Sequence, residues 1–133
     1  MNHEPHEIHE KILYKEEVFQ VQGAIYDVYR EMGCGFLESV YQECLERELR
    51  SRKIPFAAQQ ELNLTYKGEA LLQKYKPDII CFDIIVLELK AVKETSPEHK
   101  AQLFNYLKAS NLKLGLLVNF GHFPKAQIER IVL

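Results

Sequence analysis

A chain of 133 residues, 47% apolar and 27% charged, has the length for one hydrophobic core and the composition of a globular protein, which excludes fibrous and disordered classes. No apolar run nears the roughly 18 residues of a membrane-spanning helix, and residues 1–15 lack the hydrophobic segment of a secretion signal, so a cytoplasmic location without a membrane partner is expected. The net charge of −2 excludes a globally basic nucleic-acid binder, but 12 acids face 7 bases in residues 1–63 while 7 face 10 in residues 64–133, a modest basic excess in the second half.

Residues 1–14 read as a polar lead-in, ahead of a single domain over 15–133. His3, His6 and His9 recur at every third position, and a solvated tail accounts for them more simply than a metal site. From Lys15 to Met32, Val18, Val21, Ile25, Val28, Tyr29 and Met32 keep helical spacing, and Gly33 and Gly35 stop that helix. A second helix is predicted from about Leu37 to Lys53, with Leu37, Tyr41, Cys44, Leu45 and Leu49 as its apolar stripe and Pro55 beyond its end.

Phe56, Ala58, Leu62, Leu64 and Tyr66 then alternate with polar residues, the mark of one half-buried strand. Lys67-Gly68-Glu69 is a tight turn into a second strand from Leu71 to Lys76, and Asp78 to Cys81 continues the sheet. Ile84 to Val92 is apolar at nearly every position, which predicts a central strand covered on both faces. Ser96-Pro97-Glu98 opens a helix to about Ser110, with a side-chain cap, proline at the first helical position and an acid in the first turn. Lys113 to Phe120 is a strand, Gly121 to Pro124 a turn and Ile128 to Leu133 a last strand. Two helical layers around a mixed sheet suit this order, an α/β class. Cys34, Cys44 and Cys81 are odd in number with no CxxC pair, so neither a disulfide framework nor a zinc site is expected. Cys44 and Cys81 read as small buried hydrophobes.

Chemistry concentrates at Pro77-Asp78 and, after nine intervening residues, Glu88-Leu89-Lys90. Period two places Glu88 and Lys90 on one face of a strand otherwise made of Ile, Val and Leu. Unpaired charge there costs on the order of several kcal/mol, so both need partners. A tight turn brings Asp78 alongside Glu88, and two close carboxylates repel unless a cation lies between them. Mg²⁺ often uses one or two carboxylates with waters and a phosphate, and an adjacent lysine can orient water and offset phosphate charge. A buried Glu88–Lys90–Asp78 ion pair without chemistry is the competing account.

Two further features bear on that choice. At about 100° per residue, Glu38 points nearly the same way as Leu45 and Leu49, inside or at the edge of an apolar stripe. The helix dipole explains its place in sequence but not that direction. His99, Gln102 and Tyr106 form a polar seam on the helix whose Leu103 and Leu107 pack inward. A solvated face accounts for His99, whereas Gln102 suits a water or a phosphate oxygen.

Gly35-Phe36-Leu37-Glu38-Ser39-Val40-Tyr41 resembles the signature of the GxxExxY family, small proteins similar to compact members of the PD-(D/E)xK nuclease superfamily. The resemblance runs from about Tyr14 to Leu133. It includes Tyr75-Lys76-Pro77-Asp78, Glu88-Leu89-Lys90-Ala91-Val92, residues 102–108 and Leu116-Leu117-Val118-Asn119-Phe120-Gly121. It implies a restriction-endonuclease-like core, a mixed β-sheet with helices on both faces. It also implies Asp78, Glu88 and the Leu89 carbonyl as ligands of Mg²⁺ or Mn²⁺, Lys90 as the catalytic lysine, Glu38 as the helix-borne acid and Gln102 as the glutamine typical of RecB-like nucleases. The turn Cys81-Phe82-Asp83-Ile84 departs from the polar hairpin usual there. It predicts packing against something, a second copy of the chain being one candidate, so a homodimer is among the expected partners.

The expected activity is metal-dependent hydrolysis of phosphodiester bonds in DNA or RNA. Tyr106, Lys76 and Lys93 are expected against the substrate, with Lys74 and Lys100 as further phosphate contacts. A non-catalytic nucleic-acid-binding or interaction subunit retaining the nuclease fold is the alternative, favoured by the small size and mild negative charge.

Overall fold

The computed structural model describes residues 13–133; His3, His6 and His9 lie outside them. In chain order the elements are α1 (Lys15–Met32), α2 (Glu38–Ser51), β1 (Phe56–Ala58), β2 (Leu62–Tyr66), β3 (Glu69–Tyr75), β4 (Ile79–Cys81), β5 (Ile85–Lys90), α3 (Pro97–Ser110), β6 (Leu114–Asn119) and β7 (Gln127–Val132). Five strands form one mixed sheet in the order β1-β4-β5-β6-β7, while β2 and β3 form a separate hairpin. The β5–β6 pair is parallel and joined through α3; the other neighbours in the sheet are antiparallel. Among the described residues no helix is long and apolar enough to cross a membrane.

The central strands are apolar on both faces because both faces are covered. Ile85, Leu87 and Leu89 of β5 pack with Leu114, Leu116 and Val118 of β6 against Val21 and Ile25 of α1 and Tyr41, Leu45 and Leu49 of α2. Val86 and Leu117 project the other way, onto Leu103 and Leu107 of α3 and onto Leu64 and Tyr75 of the hairpin. The result is a restriction-endonuclease-like core, with helices flanking a mixed sheet on both sides. Leu13 and Tyr14, which the sequence groups with the lead-in, already pack on the α1 side, and Arg130 donates to the Leu13 carbonyl at 2.8 Å.

The Gly35-to-Tyr41 segment forms a closed corner between α1 and α2. Gly35 takes φ 113°, a conformation that favours glycine. The fully buried Tyr41 stacks on Phe120 at 4.5 Å and donates to the Gly33 carbonyl at 2.5 Å. Two expectations differ from the structure. The alternating run from Phe56 to Tyr66 is two strands in two sheets, because the chain turns at Gln59 with φ 55°. Alternation reports that one side of a segment is buried, not which sheet it joins. The apolar turn at Phe82-Asp83, with φ 57° and 60°, packs against the chain's own core through Phe82 and Ile84.

Candidate active site

The site begins where β4 and β5 part. Their antiparallel register runs from Cys81–Ile85 to Ile79–Leu87 and stops there; the residues before it are Asp78 and Pro77, and proline has no N–H to continue a ladder. The Asp78 side chain takes the place of the missing strand partner: the Leu89 N–H donates to its Oδ2 at 2.7 Å. The Asp78 carbonyl accepts from Gln42 Nε2 at 2.9 Å and from the Gln59 N–H at 3.1 Å. These contacts tie the loop before β4 to α2 and to the turn just after β1. Because N–H and C=O of one strand residue face the same edge, the Leu89 carbonyl is directed toward Asp78 as well. On its other edge β5 remains paired with β6 as far as Lys90–Asn119.

Glu88 and Lys90 therefore share the α3 face of β5. They line a cleft of about 230 Å³ with Lys74, Tyr75, Lys76, His99, Gln102 and Tyr106. Tyr75 is buried, its ring stacks on Tyr106 at 4.1 Å, and its hydroxyl donates to Glu88 Oε1 at 2.5 Å. Burial pushes the Glu88 carboxyl up to about 7. The Tyr75 hydrogen bond opposes that rise, the nearby Asp78 charge adds to it, and Lys90 and the Asp78 N–H oppose it. Burial and the Glu88 charge together raise the Tyr75 phenol far above its ordinary value, so it acts as a hydrogen-bond donor and not as a base.

This donor set fits a hard divalent cation. Asp78 meets β5 from the β4 side at Leu89, and Glu88 projects from the neighbouring position onto the α3 face; Mg²⁺ takes such oxygen ligands with water completing its shell. Two carboxylates close enough for one to raise the other's proton affinity are stabilised by a cation between them. Among the described residues no three His, Cys, Asp or Glu side chains gather as a metal-holding group.

The remaining predicted residues are distributed as follows. Gln102, Tyr106 and Lys76 line the cleft with Lys90. Glu38 lines a separate depression with Ser39, Gln42, Glu46, Gln59 and Asp78; neither Glu38 nor Asp78 lines the cleft that holds Glu88 and Lys90. Glu38 is exposed and does not point inward, because it is the first residue of α2 and the buried stripe starts one turn later, at Tyr41, Leu45 and Leu49. Lys93 is exposed in the loop after β5, outside the cleft lining. Lys100 pairs with Glu129 at 2.8 Å, and Lys74 donates to Asn63 at 2.6 Å. His99 closes a capping box with Ser96, its Nδ1 accepting the Ser96 N–H at 3.1 Å.

Sequence reasoning quoted Tyr75 only within the Tyr75-Lys76-Pro77-Asp78 motif, without a role, and passed over Gln42. Tyr75 carried a signal: it is the lone aromatic at the inward end of a strand otherwise exposed, two residues before Pro77. Gln42 carried none, since its role is to hold a main-chain carbonyl.

Asp78, just before β4, thus meets β5 at Leu89, between Glu88 and Lys90, within a helix-flanked mixed sheet. The family model of the PD-(D/E)XK nuclease superfamily matches residues 15–131, and the chain belongs to that superfamily. Among solved structures, SSO0001 is similar at 20% identity with a TM-score of 0.55, covering 91% of this chain and 60% of that one. An alkaline exonuclease from Laribacter hongkongensis, LHK-Exo, is similar at 12% identity with a TM-score of 0.46, covering 65% of this chain and 51% of that one. The chain thus spans between half and three-fifths of the length of these two structures. No curated protein matches it.

Proposed function

We propose that this chain is a metal-dependent nuclease of the GxxExxY family, hydrolysing phosphodiester bonds in DNA or RNA. The observation that carries the reading is the Leu89 N–H to Asp78 hydrogen bond. It ties the Asp78 carboxylate to the residue between Glu88 and Lys90. Asp78, Glu88 and the Leu89 carbonyl would hold Mg²⁺ or Mn²⁺, which supplies a more acidic bound water and offsets phosphate charge.

The protein's own groups do the rest. Lys90 orients the attacking water and donates to a phosphate oxygen. Tyr75 holds Glu88 through its hydroxyl. Gln102 holds a water or phosphate oxygen from α3, Tyr106 and Lys76 bear on the bound strand, Lys93 meets phosphate farther along it, and Glu38 is the helix-borne acid beside Asp78. Residues 15–133 act as one domain, in the cytoplasm. A homodimer stays among the expected partners, with its contact surface elsewhere than the Phe82 turn, which packs on the chain's own core.

The test is cleavage of single- and double-stranded DNA and RNA with Mg²⁺ or Mn²⁺, comparing the native chain with Lys90→Ala and Asp78→Ala. Metal-dependent cutting should fall by about 10²–10⁴-fold in Lys90→Ala and disappear in Asp78→Ala. A folded native chain that binds metal yet cuts none of these substrates would transfer the assignment to a non-catalytic subunit.

A further inference from the structure

Strand β6 is apolar until its last residue. Asn119 is fully buried, pairs in register with Lys90, and lies on the same face of the sheet as Lys90 and Leu117. Its Oδ1 accepts two main-chain hydrogen bonds, from the Val92 N–H at 3.1 Å and the Gly121 N–H at 2.9 Å. Its Nδ2 has no partner among the described residues. An orphaned buried amide donor costs about 1–3 kcal/mol, and a leucine or valine would continue the strand without that cost. The two bonds to the oxygen are what the asparagine contributes.

Those bonds join the chain just past Lys90 to the chain just past Asn119. Gly121 is part of the same joint, because a Cβ there would stand 2.3 Å from the Val92 carbonyl oxygen and 2.6 Å from its nitrogen. Such distances are impossible for real atoms, so no other residue permits this approach without moving the backbone. The Phe120 N–H also donates to the Lys90 carbonyl at 2.8 Å. Lys90 is the last residue of β5, where a strand end would otherwise fray. Here the next turn of chain is fastened from the neighbouring strand.

We propose that Asn119 and Gly121 form a clasp on Val92 that fixes the main chain beyond Lys90 and so sets the direction of the Lys90 side chain, Asn119 being a positioning residue. Asp78 and Glu88 are held independently, by Leu89, Tyr75 and α2, so the clasp governs the lysine and not the carboxylates. The consequence for turnover rests on the nuclease reading above; the clasp itself does not.

The experiment compares the native chain with Asn119→Ala, Gly121→Ala and the double variant. Amide hydrogen exchange is followed at Leu89 and Val92, with cleavage kinetics and Mn²⁺ affinity by calorimetry. Exchange at Val92 should accelerate in both single variants while Leu89 is unchanged. Values of kcat should fall roughly 10–100-fold, the range for residues that orient a reacting group, with KM and Mn²⁺ affinity within about twofold of native, and the double variant should be no worse than either single one, as for two parts of one device. Native kcat in Asn119→Ala despite accelerated Val92 exchange would overturn the positioning role, as would an equal loss of kcat and Mn²⁺ affinity. If the native chain cuts nothing, the nuclease reading fails separately, and Val92 exchange decides the clasp: unchanged protection in both variants overturns it.

Discussion

The Tyr75 hydroxyl donates to Glu88 while its ring lies flat on Tyr106, so one side chain joins the acid of β5 to helix α3. Glu88 has the more telling chemistry of the pair. Burial lifts its carboxyl from an ordinary 4.5 to about 7, so the folded protein without metal holds a proton there that the unfolded chain releases near pH 4.5. The stabilising contribution is complete below the unfolded value and is lost as pH rises through about 7. A carboxyl raised that far accounts for about 3 kcal/mol at most. The metal-free protein should therefore lose thermal stability between about pH 5 and pH 8, and Glu88→Gln should remove that part of the slope. Divalent metal needs the carboxylate, so added Mn²⁺ should stabilise most at the alkaline end; thermal melts across pH with and without Mn²⁺ check both signs.

Tyr75→Phe removes one group that favours the Glu88 carboxylate while keeping the ring stack. The Glu88 proton should then be held more tightly, and the pH at which Mn²⁺ binding reaches half its alkaline strength should move upward. A charge-assisted hydrogen bond is worth about 1.5–3 kcal/mol, and partial replacement by water makes a rise of about one pH unit the expected size. Calorimetric titration with Mn²⁺ from pH 6 to 8.5 reads it; an unchanged midpoint would mean that the hydroxyl does not govern the carboxyl. That Asp78 meets the Glu88-Leu89-Lys90 segment, and that Glu88 and Lys90 share one face, was legible in the sequence because charge interrupts an apolar strand. The contacts of Tyr75 and Asn119 were not legible, since an aromatic at a strand end and an amide at a strand's close both pass as ordinary packing residues until their hydrogen-bond partners are known.

At the level of elements, legibility followed how local the determinant was. Helix α1 spans the predicted Lys15–Met32, because its apolar spacing and its glycine stop both lie within the segment. Helix α3 begins at Pro97, as its cap and proline predict, with the Ser96 side chain accepting the His99 N–H. The split of β1 from β2 was hidden. Gln59 adopts positive φ without a glycine to announce it, and the choice between two sheets is made by partners far along the chain. The inward direction of Glu38 also failed, since helical angle alone does not say where along the axis the core ends. A local determinant permits a local test. Ser96→Ala should cost about 1 kcal/mol, the usual worth of such a cap, seen as a lower urea midpoint with unchanged slope. Mn²⁺ affinity should stay at its native value, because the cap lies at the start of α3, whereas Tyr106, on which the Glu88-bound Tyr75 stacks, lies nearly three turns farther along the helix. An affinity that falls along with the midpoint would show that the first turn of α3 is coupled to the carboxylates through Tyr106 and Tyr75.

For the whole molecule, charge bears on the proposed nucleic-acid substrate. The chain is mildly acidic, and its basic excess is small. Lys100 is engaged by Glu129, which leaves Lys74, Lys76 and Lys90 around the cleft and Lys93 beside it. Each phosphate neutralised on a single strand contributes about −0.7 to the slope of log K against log salt. Three such contacts predict a slope of about −2, and a fourth at Lys93 would bring it to about −3. A protein gripping a duplex through six or more phosphates would instead give about −5 or steeper. Fluorescence anisotropy with a labelled oligonucleotide, in chelator so that nothing is cut, measures the slope directly. Lys76→Ala should make it shallower by somewhat less than one and weaken binding to unrelated sequences alike, as loss of a phosphate contact does. A native slope steeper than about −5 would mean that the nucleic acid runs well beyond the cleft, onto surface these lysines do not provide. A slope near zero would remove phosphate recognition from the site altogether.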